Sequence, residues 1–118
     1  MSDLRSSLGE LAEEVGDLRA VVVFEASGVE VAAWGAGEPE APAAELASVW
    51  GGLSASETVL SLGGALDSVE VRTRSGTWVV LPLGADYLLG LLVGSEGLPG
   101  RARFCGVGWA HRHREEFS

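Results

Sequence analysis

The sequence of 118 residues contains no lysine; all eight of its basic residues are arginine. That rules out a P-loop with its phosphate-binding lysine, a Schiff-base lysine and a protein-kinase-type site. A single cysteine, Cys105, rules out an internal disulfide and agrees with a reducing compartment. It reads as a buried small hydrophobe rather than a nucleophile. No apolar run approaches the roughly 20 residues needed to cross a bilayer. The opening MSDLRSSLGELAEEV has early acids and lacks the apolar core of a signal peptide. The expectation is a cytoplasmic chain without membrane insertion.

Positive charge is also scarce. The net charge is -9, with thirteen acids against Arg5 and Arg19 in residues 1 to 70, and six arginines against four acids in residues 71 to 118. Such a balance argues against nucleic acid and anionic membranes as partners, since both attract basic surfaces. An apolar fraction of 47% with 7% aromatics suits one domain over residues 1–118, large enough for a single core.

Hydrophobic period then places the elements. Leu4, Leu8, Leu11, Ala12 and Val15 recur at helical spacing after a Ser2 or Asp3 cap, and Gly16 stops the helix. RAVVVFE and VEVAAW flank the turn residues Ser27 and Gly28 and read as a hairpin. GAGEPEAP is a loop, with Pro42 suited to the first turn of a second helix that is expected to run to about Leu62 before Gly63 and Gly64. LDSVEVRT, TWVVLPL and YLLGLLV, separated by turns, form a meander. LPGRARFCGVGWAHRHREEF is a candidate third helix with Leu98, Ala102, Cys105 and Trp109 on one face, although Gly106 and Gly108 weigh against it.

Strands one, four and five are continuously apolar and belong inside a sheet; strands two and three are mixed and tolerate an edge. One order satisfies both the hairpin and the meander: 2-1-5-4-3, an α+β sandwich with helices on both faces of a five-stranded antiparallel sheet. Pro82 lacks a ladder donor and is expected at a strand end or beside a bulge.

Catalytic chemistry is hard to find. GLSAS at 52 to 56 approaches a hydrolase nucleophile elbow but ends in Ser56 where a glycine is needed, and it falls in mid-helix. A small hydrolase using Ser54 would therefore lack its usual setting. His111 and His113 diverge on a helix and read as a solvated pair rather than metal ligands with Cys105. Acids at 10, 13 and 14 suit a solvated helix face, and GAGEPE lacks the context and third glycine of a dinucleotide fingerprint. No catalytic residue, cofactor or metal site is assigned.

The second helix carries two surfaces. Leu46, Val49, Trp50, Leu53 and Leu60 form a stripe suited to covering the sheet. Glu57 interrupts that stripe and is expected either to pair with an arginine such as Arg72 or Arg74, or to mark a point where the helix is splayed. Ala44, Ser48, Gly51 and Ala55 form a separate stripe of small residues, which lets two helices approach closely. Trp50 sits where the apolar stripe ends and reads as core, with an interface rim as the alternative. Strand three, with Val69 and Val71, is an edge open to pairing with a second copy. Trp50, Arg72 and Arg74 are candidate partner contacts. Gly52 has no assigned reason.

The order helix, hairpin, helix, meander, helix, with AVVVFEASGVEVAAWG leading and SGTWVVLPLGADYLLGLLVG closing, resembles the roadblock family: dynein light chains of roadblock type and their prokaryotic relatives. The likeness covers nearly the whole chain and lies in hydrophobicity and turns rather than catalytic letters. It implies a five-stranded sheet between helices and a homodimer joined through the third strand and second helix. It also implies regulation or scaffolding of a small Ras-like GTPase, as by the bacterial gliding-motility regulator that acts as a GTPase-activating partner, with no obligatory cofactor. The glycine-interrupted third helix departs from the family pattern. No arginine finger is assigned, because Arg72, Arg74, Arg101 and Arg103 are indistinguishable from surface charge in the sequence. A small-molecule sensor of PAS or GAF architecture is the competing reading, and it needs a cavity between sheet and helix.

Overall fold

The computed structural model describes residues 3–35 and 40–118, the side chains of residues 40 and 41 excepted. Asp3 opens helix α1 (Leu4–Val15): its backbone is extended and its carboxylate accepts a hydrogen bond from the Arg5 N–H, 3.2 Å away. Ser2, the other cap candidate, and most of the GAGEPEAP loop lie outside the described residues. The hairpin follows as β1 (Leu18–Glu25) and β2 (Glu30–Gly35), with a bulge opposite Val23 and Phe24. Next come α2 (Glu40–Ser54), α3 (Glu57–Gly63), β3 (Val69–Arg72), β4 (Gly76–Leu83), β5 (Tyr87–Gly94) and α4 (Pro99–Arg112), with a single 3-10 turn over Arg114–Phe117.

All strand pairs are antiparallel, and the sheet order is β2-β1-β5-β4-β3. The continuously apolar strands are central and the mixed ones are at the edges, as their patterns require. Pro82 is the penultimate residue of β4, beyond Val80, where the pairing with β3 ends. Its missing N–H therefore falls where the strand is flanked on one side only.

Alternation sorts the side chains between two layers. Val21, Val23, Val79, Leu81, Leu83, Leu89, Leu91 and Val93 point to one face, where Leu8, Leu11 and Val15 of α1 and Ala102, Cys105 and Trp109 of α4 cover them. Val22, Phe24, Val80 and Leu88 point to the other, under Ala43, Leu46 and Ala47 of α2.

Two expectations change in the structure, and one is borne out with its reason supplied. The predicted second helix is two helices, because Ser56 takes an extended conformation and its hydroxyl accepts from the Val59 N–H at 3.3 Å, capping α3 afresh. Leu60 thus belongs to α3, five residues (64–68) separate α3 from β3, and GLSAS straddles a break rather than a mid-helix. Second, the glycine-bearing tail does form a helix. A Cβ at Gly106 would stand 2.6 Å from Leu81 Cδ1, so the absent side chain is what lets α4 lie close on the sheet. Leu98, expected on its inner face, is instead the exposed N-cap.

Third, the tail is anchored rather than freely solvated. The Trp109 indole N–H donates to Ser7 Oγ at 2.9 Å, and the same hydroxyl meets His113 Nε2 at 3.1 Å. His113 stacks on Trp109 with ring centroids 4.2 Å apart and bonds the Glu116 carboxylate, so it is not half of a solvated pair; His111 is exposed. Phe117 is buried edge-on against Tyr87. Among the described residues no group of three or more histidine, cysteine or acidic side chains is placed to hold a metal, and no helix is long and apolar enough to cross a membrane.

Candidate dimer and partner surface

Helix α2 turns Ala43, Leu46 and Ala47 down onto the sheet, with Trp50 half-buried at the end of that row. At about 100° per residue, Ala44, Ser48 and Gly51 fall on one flank, with Ala55 just past the end of the helix, and all four are exposed. The small-residue stripe is thus a real surface. An added Cβ at Gly51 or at Gly52 meets nothing within 4 Å, so the chain's own packing demands glycine at neither position. Gly52 has no structural explanation.

The inner stripe differs from the sequence reading. Val49 and Leu60 are 44% and 43% exposed, and Leu53 is half-buried. Ala43 and Ala47 take the inner positions with Leu46, in one buried cluster with Phe24, Leu88 and Val80. Gly90 contributes to this close fit, since a Cβ there would touch Leu46 Cδ1 at 3.4 Å and Phe24 Cε1 at 3.4 Å.

Beside α2 lies the open end of the same sheet face. Val69 and Val71 of β3 stand opposite Val80 and Trp78 of β4. Val69, Val71 and Trp78 are each only half-buried, and Val69 and Trp78 pack, with Trp50, against the core beneath α2. Trp78 has no role in the sequence reading, where it is one letter of a uniformly apolar strand; what distinguishes it is its register opposite Val71. β3 is the last strand, so its outer edge is unpaired among the described residues. Val49, Leu60 and Leu62 add exposed apolar side chains on α2 and α3, Leu62 being 84% exposed.

The candidate partner contacts separate. Trp50 belongs to the α2 surface as part of its rim, whereas Arg72 is paired with Thr77 and alternates to the α4 face of the sheet. Arg74 is in the β3–β4 turn. Glu57, in the first turn of α3, is exposed and forms no ion pair with Arg72 or Arg74 among the described residues.

The residues considered for catalysis are not assembled. Ser54 closes α2 on one side of the sheet, while His111 and His113 belong to the α4 side, so neither histidine stands beside that hydroxyl. Cys105 is buried; desolvation chiefly, with the neighbouring Glu14 carboxylate adding to it, pushes the thiol above its ordinary value of 9.0, against the opposing influence of Arg101 and Arg112. A neutral, enclosed thiol fits the small-hydrophobe reading.

Known structures bear on this architecture. A roadblock/LC7 domain from Streptomyces avermitilis superposes with a TM-score of 0.87 at 19% identity, over 98% of each chain. The fold is the roadblock fold. An MglB solved in a tetrameric arrangement matches with a TM-score of 0.83 at 19% identity, over 93% of this chain and 84% of that one. The gliding protein MglB of Thermus thermophilus matches at 0.81 and 16% identity, over 93% and 84%. No family model matches the sequence, and no curated protein does. The likeness to roadblock proteins is therefore one of backbone and layer order, carried by hydrophobic pattern rather than by shared letters.

Proposed function

We propose that the chain is a non-catalytic regulatory or scaffold module of the cytoplasm, a homodimer that binds a small Ras-like GTPase. What supports the reading is the presence of two unsatisfied surfaces: the edge of β3, unpaired among the described residues, and the exposed small residues of α2. A two-fold axis along that edge would pair each β3 with its copy and cover Val69, Val71 and Trp78. The exposed Ala44, Ser48, Gly51 and Ala55 would admit close helix contact. Support comes also from the roadblock fold and from the tetrameric arrangement of one MglB. The apolar residues left on α2 and α3, with Trp50 at their rim, suit a protein partner.

The sensor reading is weaker because Leu46 and Phe24 fill the space over Gly90, where a ligand between sheet and helix would have to lie. The hydrolase reading fails on the isolation of Ser54.

The test is capture from the source cytosol on the immobilised chain, with GTP or GDP analogues present, followed by direct titration of the recovered GTPase. The expected result is a small GTPase held preferentially in one nucleotide state, with binding weakened by Trp50→Ala. Recovery of no GTPase in either state would overturn the proposal.

A further inference from the structure

A second feature lies on the opposite face of the sheet. A cleft of about 360 Å³ opens where the β3–β4 turn meets the start of α4, lined by Arg72, Arg74, Thr77, Ser95 and the backbone of Gly97 to Pro99. It contains no acidic lining residue, in a chain of net charge -9. The acids nearby are gathered elsewhere: Glu13, Glu14, Asp17 and Glu96 line a separate depression across the turn that precedes α4. Arg101 is held on that side, its guanidinium donating to the Glu14 carbonyl at 3.2 and 2.9 Å. Arg72 and Arg74 have no carboxylate partner within 4.0 Å among the described residues.

Two features of the cleft point to an anion. Helix α4 runs for 14 residues and begins without a side-chain cap, since Leu98 occupies the N-cap, and the Gly100 N–H finds no acceptor among the described residues. The Arg101 and Ala102 amides donate to the Leu98 carbonyl, so the free Gly100 N–H and the positive end of the helix dipole are what favour a negative group there. Independently, Thr77 is only 7% exposed, yet its hydroxyl has no hydrogen-bond partner among the described residues, while no fully buried side-chain oxygen goes unpaired. Its oxygen therefore reaches open space, and the open space it lines is this cleft. Its cross-strand partner Arg72 shares its face of the sheet.

We propose that this cleft binds the phosphoryl group of a small phosphomonoester, with Arg72 and Arg74 supplying charge, Thr77 and Ser95 hydroxyl donors, and the Gly100 N–H at the start of α4 a backbone hydrogen bond. Its volume exceeds that of a bare phosphate and falls in the lower range of ligand pockets, which leaves room for the rest of a small molecule. The inference does not rest on the GTPase reading, since it uses the face of the sheet opposite α2.

The test is a two-dimensional NMR titration of the full chain at low ionic strength with inorganic phosphate, a nucleoside monophosphate and the corresponding nucleoside. The expected result is saturable shifts centred on the Thr77, Gly97, Gly100 and Arg101 amides with both phosphate-bearing probes and none with the nucleoside. Tighter binding of the monophosphate than of phosphate marks a phosphomonoester as the occupant; equal binding marks free phosphate and overturns the assignment to a larger ligand. Arg72→Gln and Arg74→Gln should each weaken binding roughly tenfold, as expected for loss of a charge-assisted contact. Thr77→Val should weaken it and Thr77→Ser retain it, while Arg103→Gln, elsewhere on α4, leaves it unchanged; the same spectra show that each variant is folded. Shifts spread over the surface, or an equal effect of Arg103→Gln, would overturn the proposal.

Discussion

The two faces of the sheet are built to different degrees of closure. Under α1 and α4 the described residues form a buried cluster of seventeen, sealed at its end by Trp109 and Phe117; under α2 the cluster has seven, and Trp50, Val69 and Trp78 at its margin are only half-buried. The face with two helices is the more fully covered, with Trp34 and Tyr87 half-buried at its margin. The face with one helix ends in half-buried tryptophans and an open strand edge, a form that a second copy would complete. That contrast supports the contact surface proposed above, although α4 also leaves Phe104 and Val107 exposed on its outer side.

The largest effect should come from the closed face. Leu91 is fully buried there, and Leu91→Ala should lower unfolding free energy by about 2–5 kcal/mol, independent of protein concentration, as read from urea denaturation. Leu46 lies on the open face under a single helix, which can settle toward the space left behind. Leu46→Ala should therefore cost about 2 kcal/mol, toward the lower end of that range, and the cost should depend on protein concentration if self-association buries the same face. Equal and concentration-independent losses at the two sites would erase the distinction between the faces. A smaller effect concerns Cys105 on the closed side. Its pKa is raised in the folded chain, so the unfolded chain loses the thiol proton first as pH rises past the ordinary value of 9.0. Stability contributed by the neutral thiol is present below that pH and is lost as pH climbs through the folded-state value. Cys105→Ala should flatten the alkaline limb of a denaturation series relative to its own neutral value, and an unchanged limb would contradict the cause given for the shift.

Much of the fold was legible because strand character is a local record of burial: the uninterrupted apolar letters of RAVVVFE, TWVVLPL and YLLGLLV mark central strands, and the mixed letters mark edges. The helix break at Ala55 and Ser56 was legible only in part, because hydrophobic pattern continues across it and the signs are a charge, Glu57, in the apolar stripe and a serine placed to cap Val59. The inner face of α2 was misphased in part: size suggested Val49 and Leu53 beside Leu46, whereas Ala43 and Ala47 are the residues buried with Leu46 against the sheet. The helix at Gly106 and the anchoring of His113 depend on Leu81 and Ser7, neighbours remote in the chain that no local rule supplies. Of the candidate site, the small-residue flank and the β3 edge were readable. The separation of Arg72 from Trp50 emerged only once register assigned them to opposite faces.

Gly51 offers the most direct trial of the open face, since its position tolerates a side chain within one chain and, on the proposal above, not between two. No atom within 4 Å opposes an added Cβ, and loss of a helical glycine should stabilise an isolated chain by up to about 1 kcal/mol. Sedimentation equilibrium of the native protein and Gly51→Leu, over a range of concentrations, reads the outcome. The expected result is a dimer for the native chain and a shift to folded monomer for the variant; a monomeric native chain, or two dimers of equal stability, would contradict the assignment of α2 and β3 as the contact surface.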